Sequence, residues 1–245
     1  MSVEATLATA ARVLTQLRRD PRTIVLIVAV PCVLETLLEQ LFSQRRQVFQ
    51  HVGTPLLGLF PFILMFVITS VTMQRERSSG TLERLMTMPI GKGDLLAGYG
   101  VAFSLVAVVQ ATLVSLLAFG PLGLHVAGPR WAVVVLAVAN AMLGTALGLF
   151  ASAFARTEFQ AVQFLPAVVF PQMLLCGLFV ARSDMAGWLR AISDVLPLTY
   201  AYDALAKVAG GGPFAGRFLA DVSVTAGSIV IALALGAATL RRRTD

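Results

Sequence analysis

The amino-acid sequence predicts an all-α integral membrane protein with six transmembrane helices, and both its composition and its apolar runs point there. Hydrophobic residues make up 57% of the 245 residues and charged residues 13%, with a mean hydropathy of +0.82. A soluble domain of this length does not need so much apolar surface, so a single membrane domain covering 1–245 is the economical interpretation. The predicted spans lie at about 23–42, 55–73, 95–119, 131–154, 161–180 and 222–240.

The basic residues predict the orientation of these spans. The net charge is +6, and most Lys and Arg side chains fall on one side of the six-span arrangement, together with both termini. Since cytoplasmic loops are rich in basic residues, that side is predicted to face the cytoplasm of a cell membrane. Anionic lipid head groups explain the charge better than nucleic acid does. Cys32 and Cys176 lie inside apolar runs, so no disulfide framework is predicted, and no cleavable signal is expected.

Residues 4–20 are predicted to form an amphipathic helix that lies along the membrane surface. Arg12, Thr15, Arg18 and Arg19 occupy much of its polar face. A helix of this kind stays in the interface instead of crossing the bilayer. Its apolar face is predicted to comprise Leu7, Ala10, Ala11, Leu14 and Leu17.

A dense polar block between the second and third spans is the main functional candidate. It contains Arg75, Arg77, Arg84 and Lys92, which place it on the cytoplasmic side. Residues 78–88 have an apolar stripe at helical spacing, Ser78 or Ser79 can cap the start, and Pro89 ends the segment. A short amphipathic helix held at the membrane face between two spans is a docking element.

The same block resembles the cytoplasmic signature of the permease subunits of type-2 ABC exporters, and the chain is similar to the daunorubicin-resistance-type multidrug efflux permeases. The matching residues are Glu76, Gly80, Thr81, Leu82, Glu83, Leu85, Thr87 and Pro89. The resemblance implies that 78–88 is a coupling helix that docks on a separate ATPase subunit, and that 4–20 is the connecting helix before the first span. Tyr99 departs from the pattern, since many relatives have Lys after the glycine that corresponds to Gly98.

A second signature lies in the longest outer segment, 181–221. This segment is predicted to hold a short helix in the outer leaflet, because its apolar residues recur at helical spacing. Pro197, Tyr200 and Asp203 then match a pattern that the same exporter family carries before its last span. The two signatures together extend the resemblance over nearly the whole chain.

Two acidic residues in the first span have two possible roles. Glu35 and Glu39 lie one helical turn apart in its outer half, followed by Arg45 and Arg46. A carboxylate near the bilayer centre costs roughly 2.5–3.5 kcal/mol, so neither is expected to face lipid. They either pair with the arginines at the outer rim or line a cavity that accepts a cationic substrate.

The substrate path is predicted to run between two permease copies, along the second and fifth spans. These spans combine aromatic faces, isolated polar groups and proline breaks, and the resemblance assigns the second span to the path. Phenylalanines at this spacing also serve as ordinary packing residues. The predicted lining residues are Phe62, Phe66, Thr69, Gln163, Phe170 and Gln172.

The missing motifs argue against catalysis by this chain. It has no Gly-x-x-x-x-Gly-Lys-Ser/Thr phosphate loop, no His-Glu-x-x-His metal pair and no Gly-x-Ser-x-Gly nucleophile motif. The resemblance therefore implies a transport subunit without cofactor or metal of its own, working with two ATPase copies that bind ATP and Mg and with a second permease. The expected substrate is a hydrophobic or amphipathic drug. Lipid or polysaccharide export is the alternative, and an ion-driven transporter using Glu35 and Glu39 is a further one.

Overall fold

The computed structural model describes residues 2–81, 85 and 91–239, and within them all regular structure is helical. The N-terminal half contains α1 (Val3–Arg18), α2 (Pro21–Leu41), α3 (Arg46–Ser78) and α4 (Lys92–Phe119). The C-terminal half contains α5 (Arg130–Ala151), α6 (Glu158–Phe164), a π-helical segment (Leu165–Val169), α7 (Phe170–Leu175), a 3₁₀ turn (Arg182–Asp184), α8 (Gly187–Ser193), α9 (Pro197–Ala209) and α10 (Arg217–Thr239).

Five of the described helices are long and apolar enough to cross a membrane, namely α2, α3, α4, α5 and α10. The chain is therefore a multi-pass membrane protein. The predicted fifth span, 161–180, is not one long helix, because Pro166 and Pro171 fall in a stretch that changes from α to π geometry and back. Proline removes a backbone donor and crowds the preceding turn, which accounts for the irregular geometry.

Several helices have different limits from the predicted spans. The second predicted span, 55–73, is the middle of the 33-residue helix α3. At about 1.5 Å per residue this helix is roughly 50 Å long, so it extends beyond the hydrocarbon layer. Ser78 is the last residue of α3 and does not begin a new helix.

The centre of the fold is the contact between α3 and α5. A Cβ atom on Gly144 would collide with the backbone carbonyl of Phe62, and one on Gly148 would collide with that of Phe66. These two glycines, four residues apart on one face of α5, let the two backbones approach closely. Phe62 and Phe66 are fully buried there.

Helix α1 packs beside α4 with a face rotated from the predicted one. Its buried residues are Thr9, Ala10 and Val13, whereas Leu7 is 57% exposed. Small residues face the protein because α1 lies close to α4, and the larger leucines of the predicted apolar face are left at the edge of the contact. Helical periodicity locates an apolar stripe but not the neighbour that covers it.

Candidate functional site: the predicted docking face

A partly buried ion pair joins α1 to the end of α3. Arg12 donates from Nη1 to Glu76 Oε1 at 3.2 Å, and the Glu76 side chain is only 9% exposed. Arg12 also donates from Nη2 to the hydroxyl of Tyr99 on α4. Its guanidinium lies 5.6 Å from the centre of the Tyr99 ring, a cation–π distance. Three helices thus meet at one arginine, next to the predicted docking segment.

Tyr99 has a clear role in this arrangement although it departs from the family pattern. It is fully buried, and its hydroxyl accepts a hydrogen bond from the same arginine that pairs with Glu76. A lysine at this position would place a second cation beside Arg12. The tyrosine is therefore compatible with Arg12, whose own contribution sequence reasoning missed because its partners lie far away along the chain.

The start of α4 is tied to the start of α1. Asp94 accepts a hydrogen bond from the backbone N–H of Ser2 at 3.0 Å through Oδ1. Its Oδ2 accepts one from the backbone N–H of Gly91 at 3.3 Å. Asp94 is buried in the first turn of α4, where a carboxylate also interacts favourably with the helix dipole. Helix α1 is thus attached both near the end of α3, where the predicted docking segment begins, and at the start of α4, where the segment ends.

A second pair of contacts connects the end of α3 to the loop after α5. Arg75 donates from Nε and Nη2 to the two carboxylate oxygens of Glu158 at 3.1 and 3.2 Å. Arg77 donates to the backbone carbonyl of Ser152 at 3.2 Å. The hydrogen bonds from Arg75 lower the pKa of Glu158, so this carboxylate stays ionised at neutral pH. The connection after α5 therefore contacts the same end of α3 that leads into the predicted docking segment.

The docking segment leaves α3 through Gly80. This residue has a φ of +71°, a left-handed conformation that favours glycine. The N–H of Gly80 donates to the carbonyl of Arg77 at 3.3 Å, which closes the last turn of the helix. A Cβ atom at Gly80 would meet nothing within 4 Å. Within the described part of this chain, the requirement for glycine is therefore conformational and not steric.

The described part of the segment itself is short. Thr81 shares a hydrogen bond of 2.9 Å with the hydroxyl of Ser79. Leu85 packs against the apolar cluster that contains Ala10 and Val13 of α1. The segment thus returns an apolar side chain to the protein. The remaining residues of this signature, Leu82, Glu83, Thr87 and Pro89, lie outside the described residues.

The outer signature forms a separate ion-pair cluster at the opposite end of the molecule. Arg182 donates from Nη1 to Asp203 at 2.9 Å and also pairs with Asp194. Tyr200 donates from its hydroxyl to the carbonyl of Asp194 at 2.6 Å, and Pro197 is the first residue of α9. Tyr200 and Asp203 therefore hold α9 against both the end of α8 and the 3₁₀ turn that precedes α8.

Burial and Arg182 have opposite effects on Asp203. Burial raises the pKa of Asp203 above its ordinary value, and the guanidinium of Arg182 lowers it again in part. Burial also raises the pKa of the neighbouring Tyr202 to about 12. Loss of Arg182 would therefore raise the pKa of Asp203 further.

The acidic residues of α2 separate into two cases. Glu39 lies 3.6 Å from Arg46 and accepts a hydrogen bond from Gln40 at 2.8 Å. Glu35 is fully buried, and neither of its carboxylate oxygens has a hydrogen-bond partner among the described residues. Rim pairing thus accounts for Glu39 through Arg46 and leaves Glu35 unexplained. Arg45 flanks the start of α3.

The residues of the predicted substrate path do not share one surface. Phe62, Phe66 and Thr69 are fully buried in the α3–α5 contact, where Thr69 donates to the carbonyl of Met65 at 2.7 Å. They are enclosed by protein in this conformation.

The fifth-span members of the path differ from one another. Gln163 is exposed, and Phe170 is 44% exposed. Gln172 is buried, accepts a hydrogen bond from the backbone N–H of Leu198 at 3.4 Å and donates to the carbonyl of Val168 at 3.1 Å. Only Gln163 and Phe170 of the six residues thus offer substantial surface in this conformation. Across 2–81, 85 and 91–239 no group of three or more His, Cys, Asp or Glu side chains is placed to hold a metal ion.

The comparisons with known proteins point to one family of transporters. The chain is 24% identical over 220 residues to the daunorubicin resistance ABC transporter permease protein DrrB1 of Streptomyces coeruleorubidus. The matched region covers 86% of this chain and 76% of that protein. It is 26% identical over 241 residues to the probable doxorubicin resistance ABC transporter permease protein DrrC of Mycobacterium tuberculosis, covering 94% and 85%.

Other relatives are longer than this chain. It matches 20% of the length of ABC transporter G family member 20 of Dictyostelium discoideum at 27% identity. It matches 42% of the probable multidrug ABC transporter permease YbhR of Escherichia coli at 25% identity. The family model described as ABC-2 type transporter matches residues 4–209, which include both signatures and the α1–Glu76 contact. The chain belongs to the ABC-2 type transporter family.

Proposed function

We propose that this chain is the permease subunit of an ATP-driven exporter and that its cytoplasmic docking face receives a separate ATPase. The observation that carries the proposal is the partly buried Arg12–Glu76–Tyr99 contact, which connects α1, α3 and α4 at the root of the docking segment. A force applied to that segment would reach three helices through these side chains. ATP and Mg would bind to the partner, and this chain would supply the path.

The proposed topology has six spans with both termini in the cytoplasm of the cell membrane. Residues 158–175 supply the sixth crossing in spite of their irregular helix. Glu158 lies at one end of this segment and pairs with Arg75 on the docking face. Arg182 follows its other end and belongs to the outer ion-pair cluster. Because the two ends belong to opposite faces of the molecule, the segment between them supports a crossing.

The proposed assembly contains two permeases and two ATPase copies, since one docking segment serves one ATPase and ABC ATPases work as pairs. Helix α2 has exposed apolar side chains at Leu34, Leu37 and Leu41. The α6–α7 segment exposes Phe170 and Leu174 on one side. Burying these faces against a second copy gives a two-fold contact. A purified, transport-competent complex with one permease copy would rule out this assembly.

The proposed substrate is a hydrophobic or amphipathic drug that reaches the path from the bilayer. The names of the two Drr relatives support drug export, and lipid or polysaccharide export by the same machinery is the alternative. Gln163 and Phe170 are the accessible members of the path, and Phe62, Phe66 and Thr69 would meet a substrate only after α3 and α5 separate. This separation would have to accompany the transport cycle.

The experiment that tests the function has two parts. Affinity-tagged permease is purified from its native membrane, and an ABC ATPase is expected to co-purify. Inside-out vesicles containing the complex are then incubated with a fluorescent drug such as daunorubicin in the external medium, with or without ATP and with or without a proton ionophore. Uptake that requires ATP and survives the ionophore supports the proposal. Uptake that continues without ATP and stops with the ionophore contradicts it.

The second outcome would favour an ion-driven transporter, and one observation makes that candidate worth testing. Glu35 is a fully buried carboxyl group whose oxygens have no partner in the described structure. Intramembrane acidic residues of this kind often carry protons in transporters. In that case Glu35→Gln would abolish gradient-dependent uptake, whereas the ATP-driven proposal expects Glu35→Gln to keep ATP-dependent uptake.

A further inference from the structure

A groove of about 250 Å³ lies between the end of α1, the start of α2 and the middle of α4. Its walls are almost entirely apolar, and the groove lies apart from the proposed substrate path. The residues that form the walls include Leu14, Leu17, Ile24, Val28, Leu105 and Val109.

The groove is open on the side that would face lipid. Leu105 is 50% exposed and Val109 is 56% exposed, so both present apolar surface outward from α4. Gln110 closes the end of the groove away from Arg18. Its Nε2 donates to the backbone carbonyl of Ile27 at 2.8 Å and joins α4 to α2. From Ile24 to Val28 the groove follows α2 for about 6 Å, at about 1.5 Å per residue. It therefore occupies the depth of one leaflet at most.

The other end of the groove is strongly basic. Arg18 lines it, and Arg19 and Arg22 are exposed close by in the chain. None of these three arginines forms an ion pair with the described residues. The acidic residue between them, Asp20, is already occupied, because it accepts hydrogen bonds from the N–H and hydroxyl of Thr23 at 3.3 and 2.6 Å. The mouth thus has an excess of positive charge beside an apolar channel.

We propose that this groove binds an anionic phospholipid of the inner leaflet, with its phosphate at Arg18 and the upper part of an acyl chain along α4. The groove supplies apolar walls for the chain, and the arginines supply charge complementarity for the head group. Basic residues near a membrane surface attract anionic lipid by about fivefold each. A zwitterionic lipid fills the same apolar walls but gains little from the arginines, so selectivity by head-group charge is the distinguishing property.

The location gives this lipid a role in coupling. Its acyl chain would contact α1, α2 and α4 at once, and α1 carries Arg12 of the docking face. A bound lipid would therefore hold α1 in the position where Arg12 reaches Glu76. This site rests on the proposed cytoplasmic location of α1, but binding can be measured without the ATPase or a transported drug.

The test uses tryptophan fluorescence in the full-length chain reconstituted into phosphatidylcholine vesicles. The two native tryptophans, Trp131 and Trp188, are replaced by Phe, and Leu105→Trp places a single reporter in the groove. Brominated phosphatidylglycerol or brominated phosphatidylcholine is then added as quencher. The matched control is Leu116→Trp, on the same helix and 64% exposed in the native chain, but outside the groove.

The expected result is half-maximal quenching of the Leu105→Trp reporter with brominated phosphatidylglycerol at a concentration lower, by a factor of at least about five, than with brominated phosphatidylcholine. The Leu116→Trp reporter should not distinguish the two lipids. Adding Arg18→Gln, Arg19→Gln and Arg22→Gln should remove the preference at the groove. Val109→Trp provides a second reporter if Leu105→Trp does not fold. Equal quenching by both lipids at the groove, or a preference that survives loss of all three arginines, overturns the proposal.

Discussion

The five long helices divide into a buried pair and an exposed pair, with α4 between them. In their most apolar 18-residue windows, 56% of α3 and 61% of α5 is buried, compared with 17% of both α2 and α10. All four are apolar enough to cross a membrane, so composition does not separate them. The difference teaches that α3 and α5 form the core of one subunit in this conformation, whereas α2 and α10 leave large faces for lipid or for a second copy.

The largest expected effect comes from adding side chains inside the buried pair. Gly148→Val would force two methyl groups against the Phe66 carbonyl and the Thr69 hydroxyl, neither of which can move aside easily. Overpacking of a core typically costs about 1–3 kcal/mol, and a backbone collision is at the upper end or beyond. We expect loss of folded, monodisperse protein by size-exclusion chromatography.

The matched control for this substitution is Gly227→Val on α10, where an added Cβ meets nothing within 4 Å. It should be purified in nearly normal yield. If both variants fold equally well, the close approach of α3 and α5 does not stabilise the subunit.

A second comparison uses two phenylalanines of the predicted substrate path. Phe66→Ala removes a fully buried ring and should destabilise the protein by about 3–5 kcal/mol. Phe170 is 44% exposed, so Phe170→Ala should change thermal stability little while altering drug transport. Differential scanning fluorimetry and vesicle uptake measure the two effects. The reverse pattern would mean that α3 lines an open path in the resting protein.

Arg182→Met should have an intermediate effect at the outer face. The substitution leaves Asp203 partly buried without its cation and should lower the free energy of unfolding by about 2 kcal/mol. This is the low end of the range for such pairs, because Asp194, the second partner of Arg182, is half exposed. Arg190→Met is the control, since Arg190 is exposed and has no ion pair among the described residues.

The pH dependence of this variant has a defined sign. Burial raises the folded-state pKa of Asp203, and removing Arg182 raises it further. The resulting penalty is absent below the unfolded pKa and develops as pH rises through the folded pKa. The difference in thermal stability between Arg182→Met and the native protein should therefore be smaller at pH 5 than at pH 7. The same difference at both pH values would mean that the lost stability comes from packing.

The smallest expected effect concerns the exposed pair on the docking face. Glu158→Gln should reduce stability by less than about 1 kcal/mol, because Arg75 and Glu158 are both well exposed. The pKa of Glu158 is lowered by Arg75, so its contribution is present above the unfolded pKa and disappears as pH falls through the folded pKa. Denaturation at pH 7 and at pH 3 would measure this, and a difference that grows in acid would contradict it.

The helical membrane class and the family were predicted from the sequence and are confirmed, whereas the docking role of the segment between α3 and α4 stays a prediction. Each depends on information that is local in the chain, such as apolar runs or a compact motif. The pairing of Glu39 with Arg46 was one of two interpretations, and it was available because these residues are neighbours across one short turn. The prediction of six spans stays a prediction, since 158–175 is an interrupted helix.

The contacts that connect helices were beyond sequence reasoning. Arg12 and Glu76 are 64 positions apart, and nothing in a helical pattern says which arginine meets which carboxylate. Phe62 and Phe66 illustrate the same limit, because periodicity places them on one face of α3 but does not reveal that α5 covers it. Nothing in the sequence pairs Arg75 with Glu158, which lies 83 positions away, and the distribution of basic residues identifies Arg75 only as a marker of orientation.

The central claim is that Arg12 and Glu76 transmit the state of the docked ATPase to the spanning helices. A charge-reversal set tests it most directly: Arg12→Glu, Glu76→Arg, and the two together. The measurement is drug exported per ATP hydrolysed in vesicles, with ATPase co-purification recorded for each variant. Each single variant should lower this ratio by about tenfold, a factor within the range of typical coupling between two sites. The double variant should recover most of the native ratio. Normal export in both single variants, or a double variant no better than either, would contradict the account.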